Sequence, residues 1–126
     1  MPQEIGPAGR RAPGELESEV LGVLWAAGAP ATAATVRDGL TGEPAYTTVL
    51  TILSRLYDKG LVGRERAGRG YRYAPVRDEA GHVAAGMCAL LDKGADRGAV
   101  LARFVAQLPT ADERLLGQLL RDHLAD

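Results

Sequence analysis

The apolar positions of this chain fall into helical stripes, interrupted once by a short stretch of alternation. Between Gly14 and Gly28, Leu16, Val20, Val23, Leu24 and Ala27 recur at helical spacing, acids load the first turn, and Gly28 stops the element. Thr32 is placed to cap a second helix over 33–40, with Val36 and Leu40 facing the core. The run Thr41-Gly-Glu-Pro44 breaks the chain. A third helix over about 46–59 then buries Val49, Ile52, Leu53 and Leu56 and leaves Thr47, Thr48, Thr51, Ser54, Arg55 and Asp58 mostly outside the stripe. Gly60 sits where helices commonly end. Leu61 to Arg66 and Tyr71 to Val76 read as two strands around Ala67-Gly-Arg-Gly70, whose two glycines can supply the positive φ of a tight hairpin. In Tyr71-Arg72-Tyr73 the tyrosines share one face and Arg72 points the other way.

From Asp78 onward the pattern is helical only. Val83, Met87, Leu90 and Leu91 form one stripe, and Leu101, Phe104, Val105 and Leu108 a second. Pro109 interrupts, and Thr110-Ala-Asp-Glu113 reads as a capping box opening a third stripe of Leu116, Leu119, Leu120 and Leu124. So short a segment cannot bury three apolar stripes within itself, and an identical subunit is the simplest partner. The predicted fold is mostly α with a small β wing. A flexible N-terminal arm (1–13, rich in Pro, Gly and Arg) precedes a winged helix-turn-helix (14–77, wing 61–76) and a three-helix dimerisation module (78–126).

Charge sharpens this picture. The 126 residues carry a net charge of only -1, but Arg55 to Arg77 hold seven basic residues against Asp58 and Glu65, a local balance of +5. A concentrated positive face on a near-neutral protein is the electrostatic footprint of a DNA reader. The single cysteine, Cys88, excludes a disulfide within the chain and a multi-cysteine metal site, and its place beside an apolar stripe predicts burial. No stretch is long and apolar enough to span a membrane, and residues 1–13 lack the apolar core of a signal peptide, so a cytoplasmic protein is expected. No Gly-x-Ser-x-Gly, His-Glu-x-x-His or phosphate-loop pattern occurs, and Gly68-Arg-Gly70 turns a hairpin instead of opening a helix. His82 and His123 are far apart and read as surface or interface residues. No enzyme activity, cofactor or metal is expected.

The third helix offers groove-reading chemistry. Thr47, Thr48 and Thr51 can exchange hydrogen bonds with base edges or phosphates, and a threonine methyl can pack on the thymine methyl. Arg55 and Lys59, further along, suit phosphates, as do Arg69 at the wing tip and Arg72 on its strand, which have no apparent acidic partner nearby in sequence. Each has a plainer reading: Arg55 can pair with Asp58, and a charged hairpin can be a solvated edge. Tyr46 either stacks on the sugar-phosphate backbone or packs on the first helix. Arg64 and Arg66 rank below the other cations. Trp25 is expected in the core, and Tyr71 and Tyr73 between the wing and the helices. Arg10 and Arg11 could reach a neighbouring groove from the arm, although a non-contributing start is favoured.

Leu16-Glu17…Val20…Leu24-Trp25, Tyr46-Thr-Thr-Val-Leu-Thr-Ile-Leu-Ser-Arg-Leu56, Lys59-Gly-Leu-Val62 and Gly70-Tyr-Arg-Tyr-Ala-Pro75, taken in order, resemble the penicillinase-repressor (BlaI/MecI-like) transcriptional regulators. The likeness runs from Leu16 to about Leu124. It implies a homodimeric repressor on a palindromic operator of the TACA/TGTA type, with an N-terminal winged helix and a C-terminal dimerisation module. It also implies a membrane sensor-protease partner that leads to cleavage at an Asn-Phe bond. The matching place here is Arg103-Phe104, where Phe104 fits the pattern and Arg103 departs from it. Copper-responsive members carry a C-terminal cysteine cluster that this chain lacks. Two other readings stay open: a winged-helix protein-interaction module, and a ligand-sensing winged-helix regulator of another family.

Overall fold

The structure, a computed structural model, describes residues 14–125; the expected arm over 1–13, with Arg10 and Arg11, lies outside them. Helix α1 (Glu15–Ala27) buries Val20, Leu21 and Leu24, with Leu16 and Val23 packed partly against the core, while Ala27 is exposed. Thr32 caps α2 (Ala33–Asp38) as expected: its hydroxyl oxygen accepts from the Thr35 amide at 3.2 Å. That helix is shorter than the sequence suggests, with Gly39 as its cap, yet Val36 and Leu40 are both buried. Ahead of α2 lies a strand the sequence did not reveal, β1 (Ala31–Thr32), too short to show alternation.

Helix α3 (Tyr46–Asp58) buries the four predicted residues, Val49, Ile52, Leu53 and Leu56. Its end is a Schellman motif: the Leu61 amide donates to the Leu56 carbonyl at 2.9 Å and the Gly60 amide to the Tyr57 carbonyl at 3.0 Å. Gly60 takes φ 77°, a conformation that costs any other residue steric strain. The wing follows as β2 (Val62–Ala67) and β3 (Gly70–Pro75). Ala67 pairs with Gly70, so the turn is only Gly68-Arg69, tighter than the four-residue loop the glycines suggest. Gly68 alone uses positive φ, at 62°, as a type II′ turn requires at its first position.

The sheet is antiparallel in the order β1-β3-β2, with Ala31 opposite Tyr73 and Thr32 opposite Arg72. Its core joins α1, α2 and α3 with Val62 and Tyr73 of the wing. Trp25 lies at the rim of this core, half-buried instead of enclosed, because its indole nitrogen needs a partner. It donates to the Arg77 carbonyl at 2.9 Å. Its ring also lies 5.5 Å from that of His82, which is half-buried.

The chain divides into two compact units, the first ending at His82 and the second beginning at Val83. The second comprises most of α4 (Glu79–Lys93), then α5 (Arg97–Gln107) and α6 (Thr110–Ala125). Asp96 caps α5 by accepting from the Ala99 amide at 3.0 Å. The capping box at Thr110 does not form as read. The Glu113 amide donates to the Pro109 carbonyl, so Pro109 holds the cap position and Thr110 is already helical. None of these three helices buries a described residue, and none packs extensively on another. Cys88, expected to be buried, is exposed for the same reason. The Arg103-Phe104 bond lies inside α5. Among the described residues no helix is long and apolar enough to cross a membrane.

Candidate nucleic-acid interface

A helix turning 100° per residue sorts the side chains of α3 about its buried stripe. Thr47, Thr51, Ser54 and Asp58 lie opposite the core; Thr48 and Arg55 run along one edge, and Tyr46, Leu50 and Tyr57 along the other. All nine are exposed, so every expected groove reader on this helix reaches solvent. The Thr51 hydroxyl donates to the Thr47 carbonyl at 3.0 Å, which fixes the side chain and leaves its oxygen lone pairs and methyl facing outward. Arg55 forms no ion pair with Asp58, so its guanidinium remains available.

Lys59 differs from the expectation. Its ammonium lies 2.9 Å from a Glu17 carboxylate oxygen, tying the end of α3 to the first turn of α1. Such an exposed pair contributes about 0–1 kcal/mol, weak enough for a phosphate to displace it. Tyr46 is 46% exposed. It lines a cleft with Thr32, Ala34, Leu50, Ala67 and Tyr71, which takes no residue from α1. Leu50 was missed by the sequence reading. At 36% exposure it is an apolar side chain one turn after Tyr46, and its place outside the stripe was the signal.

On the wing, Arg69 occupies the turn and is exposed, and Arg72 is exposed on the face away from the tyrosines. Tyr73 is buried and Tyr71 half-buried, with their rings edge-on at 6.2 Å, so these two do join the wing to the helices. The register places Glu65 directly across from Arg72, so the apparent lack of an acidic neighbour does not hold. Counting back from the Gly-Arg turn would have paired them. Arg64 and Arg66 share the tyrosine face, and the Arg64 guanidinium carbon sits 3.9 Å from the Tyr57 ring centre and 4.2 Å from that of Tyr71.

In the second unit the twelve residues expected at a dimer contact are exposed or half-buried, Leu124 reaching 80%. Val100 and Leu115, outside the predicted stripes, are exposed as well. Among the described residues no group of His, Cys, Asp and Glu is arranged to hold a metal ion.

A family model described as "Penicillinase repressor" matches residues 13–122 of this chain. The chain is also 40% identical over 121 residues to the "Transcriptional regulator BlaI" of Mycobacterium tuberculosis strains CDC 1551 / Oshkosh and ATCC 25618 / H37Rv. The match covers 87% of this chain and 86% of each relative.

Proposed function

Since the chain belongs to the penicillinase-repressor family, we propose that it is a sequence-specific DNA-binding repressor. It acts as a homodimer on a palindromic operator, with α3 in the major groove and the β2–β3 wing along the backbone. The observation that carries this reading is the division of α3: four apolar residues anchor it, and the opposite face presents exposed Thr47, Thr51 and Ser54, flanked by Thr48 and Arg55. Small hydroxyl side chains let a helix approach base edges closely, and the threonine methyls with Leu50 offer apolar contact to thymine methyls. Arg55, Arg69 and Arg72 take phosphates. Lys59 joins them only by leaving Glu17, which makes it the weakest member of the set.

The homodimer rests on the second unit. Helices that bury none of their described residues and expose Val83, Met87, Leu101, Phe104, Leu119 and Leu120 leave their apolar side chains uncovered within their own chain. A second copy covers them and sets two recognition helices on one two-fold axis. Release by a sensor-protease at Arg103-Phe104 would first require α5 to unwind locally, since a helical backbone is not in the extended form a protease cleaves. Selection of bound genomic fragments, followed by titration of the enriched sequence and a scrambled duplex across a salt series, tests the reading. A salt-sensitive preference for a palindrome supports it; equal affinity for both duplexes overturns sequence-specific repression.

A further inference from the structure

Tyr57 of α3 and Tyr71 of β3 approach the Arg64 guanidinium of β2 at 3.9 and 4.2 Å. One planar cation thus spans the edge of the recognition helix and both wing strands. Tyr57 lies on the same edge of α3 as Tyr46 and Leu50, the edge that borders the hairpin in the cleft lined by Ala67, Gly70 and Tyr71. Elsewhere the hairpin is held by the β1–β3 pairing at Tyr73 and Arg72 and by a longer contact within the wing, the Arg66 guanidinium carbon 5.6 Å from the Tyr71 ring centre, neither of which reaches α3. Glu65, Arg66, Arg69 and Arg72 are exposed, and only Val62 and Tyr73, further from the turn, are buried.

We propose that Arg64 is a positioning residue that clamps the wing to the recognition helix through Tyr57 and Tyr71, so that it sets DNA affinity without contacting phosphate. This rests on the DNA-binding reading above. Guanidinium stacks on two aromatic faces at once, as an ammonium does not, so lysine is a poor substitute here. Arg64 keeps its full charge, but held against two rings it makes no phosphate contact and so leaves the counterion release unchanged, unlike Arg69 and Arg72.

The test uses the full chain. Per half-site, Arg64→Ala, which removes both cation–π contacts, should weaken operator binding by about fivefold to thirtyfold, and Tyr57→Leu, which removes one, by about twofold to fivefold. Both should leave the salt slope unchanged. Tyr57→Phe keeps the aromatic face and should bind as the unsubstituted protein does. The double variant should be no weaker than Arg64→Ala alone, because that substitution already removes the contact Tyr57→Leu breaks. Hydrogen exchange of the hairpin amides in the free protein, referenced to the α1 amides to exclude global unfolding, should quicken in both single variants. A slope reduced by about 1.8 in Arg64→Ala would make Arg64 a phosphate ligand and overturn the clamp. Full affinity in Arg64→Lys together with a silent Tyr57→Leu would do the same. If the unsubstituted protein shows no operator preference, the functional reading fails; the exchange measurement still decides the clamp, and unchanged hairpin exchange overturns it.

Discussion

Replacing Arg72 by alanine separates the wing's charge from its shape. Arg72 is exposed on the hairpin face opposite Tyr71 and Tyr73, so its loss leaves the packed face intact. One phosphate contact contributes about 0.9 to the slope of log affinity against log salt on duplex DNA. A symmetric dimer loses two such contacts, so Arg72→Ala should flatten the slope by about 1.8. Over a fourfold rise in salt, from about 50 to about 200 mM, the variant should therefore lose roughly twelvefold less affinity than the unsubstituted protein. The preferred sequence should not change, because backbone contacts carry no base information. Glu65, across the ladder from Arg72, supplies an internal control. Glu65→Gln removes a negative charge near the same backbone and should strengthen binding at low salt. That gain should fade as the screening length falls from about 10 Å at 0.1 M to about 3 Å at 1 M. Fluorescence anisotropy with labelled operator and scrambled duplexes reads all three proteins in one series. An unchanged slope in Arg72→Ala would refute the phosphate role and return the residue to a solvated strand edge.

Thr48→Ala and Thr51→Ala should each weaken the operator more than a scrambled duplex, by about 1 kcal/mol of discrimination; equal losses on both would move these residues to the backbone class. Phe104→Glu and Leu120→Glu place a charge in the exposed apolar surface of the second unit. Both should sediment as folded monomers with much weakened palindrome binding, and a persistent dimer would show that the contact lies elsewhere. Trp25→Phe removes the donor to the Arg77 carbonyl, which should cost about 0.5–1.5 kcal/mol and lower the first unit's thermal midpoint by several degrees; an unmoved midpoint would show that water replaces the bond fully. Deleting Val83 onward should preserve this unit, whereas a cut at Arg77 should loosen it, because Trp25 packs on both Arg77 and His82.

Local periodicity determined most of the elements. The Val49, Ile52, Leu53 and Leu56 stripe, the Thr32 cap, the Gly60 terminator and the shared face of Tyr71 and Tyr73 were all legible, because each depends on neighbours within one or two turns or across one hairpin. The resemblance to the penicillinase repressors was legible for the same reason, being carried by those same segments. What the tertiary structure decided depends on partners far apart in the chain. The two-residue β1 exists only because β3, some 40 residues later, completes its hydrogen bonds. Lys59 meets Glu17 across 42 positions, and Trp25 meets the Arg77 carbonyl across 52, so a residue read as a phosphate ligand acquired an ion-pair partner and one read as core settled at a rim. Arg64 differs from the other basic residues only in lying where Tyr57 and Tyr71 converge, and no periodicity along one strand can show that. Cys88 erred in the opposite sense. An apolar stripe states that a face is to be covered, but whether its own chain or another copy covers it depends on how the helices pack, and here they leave it open.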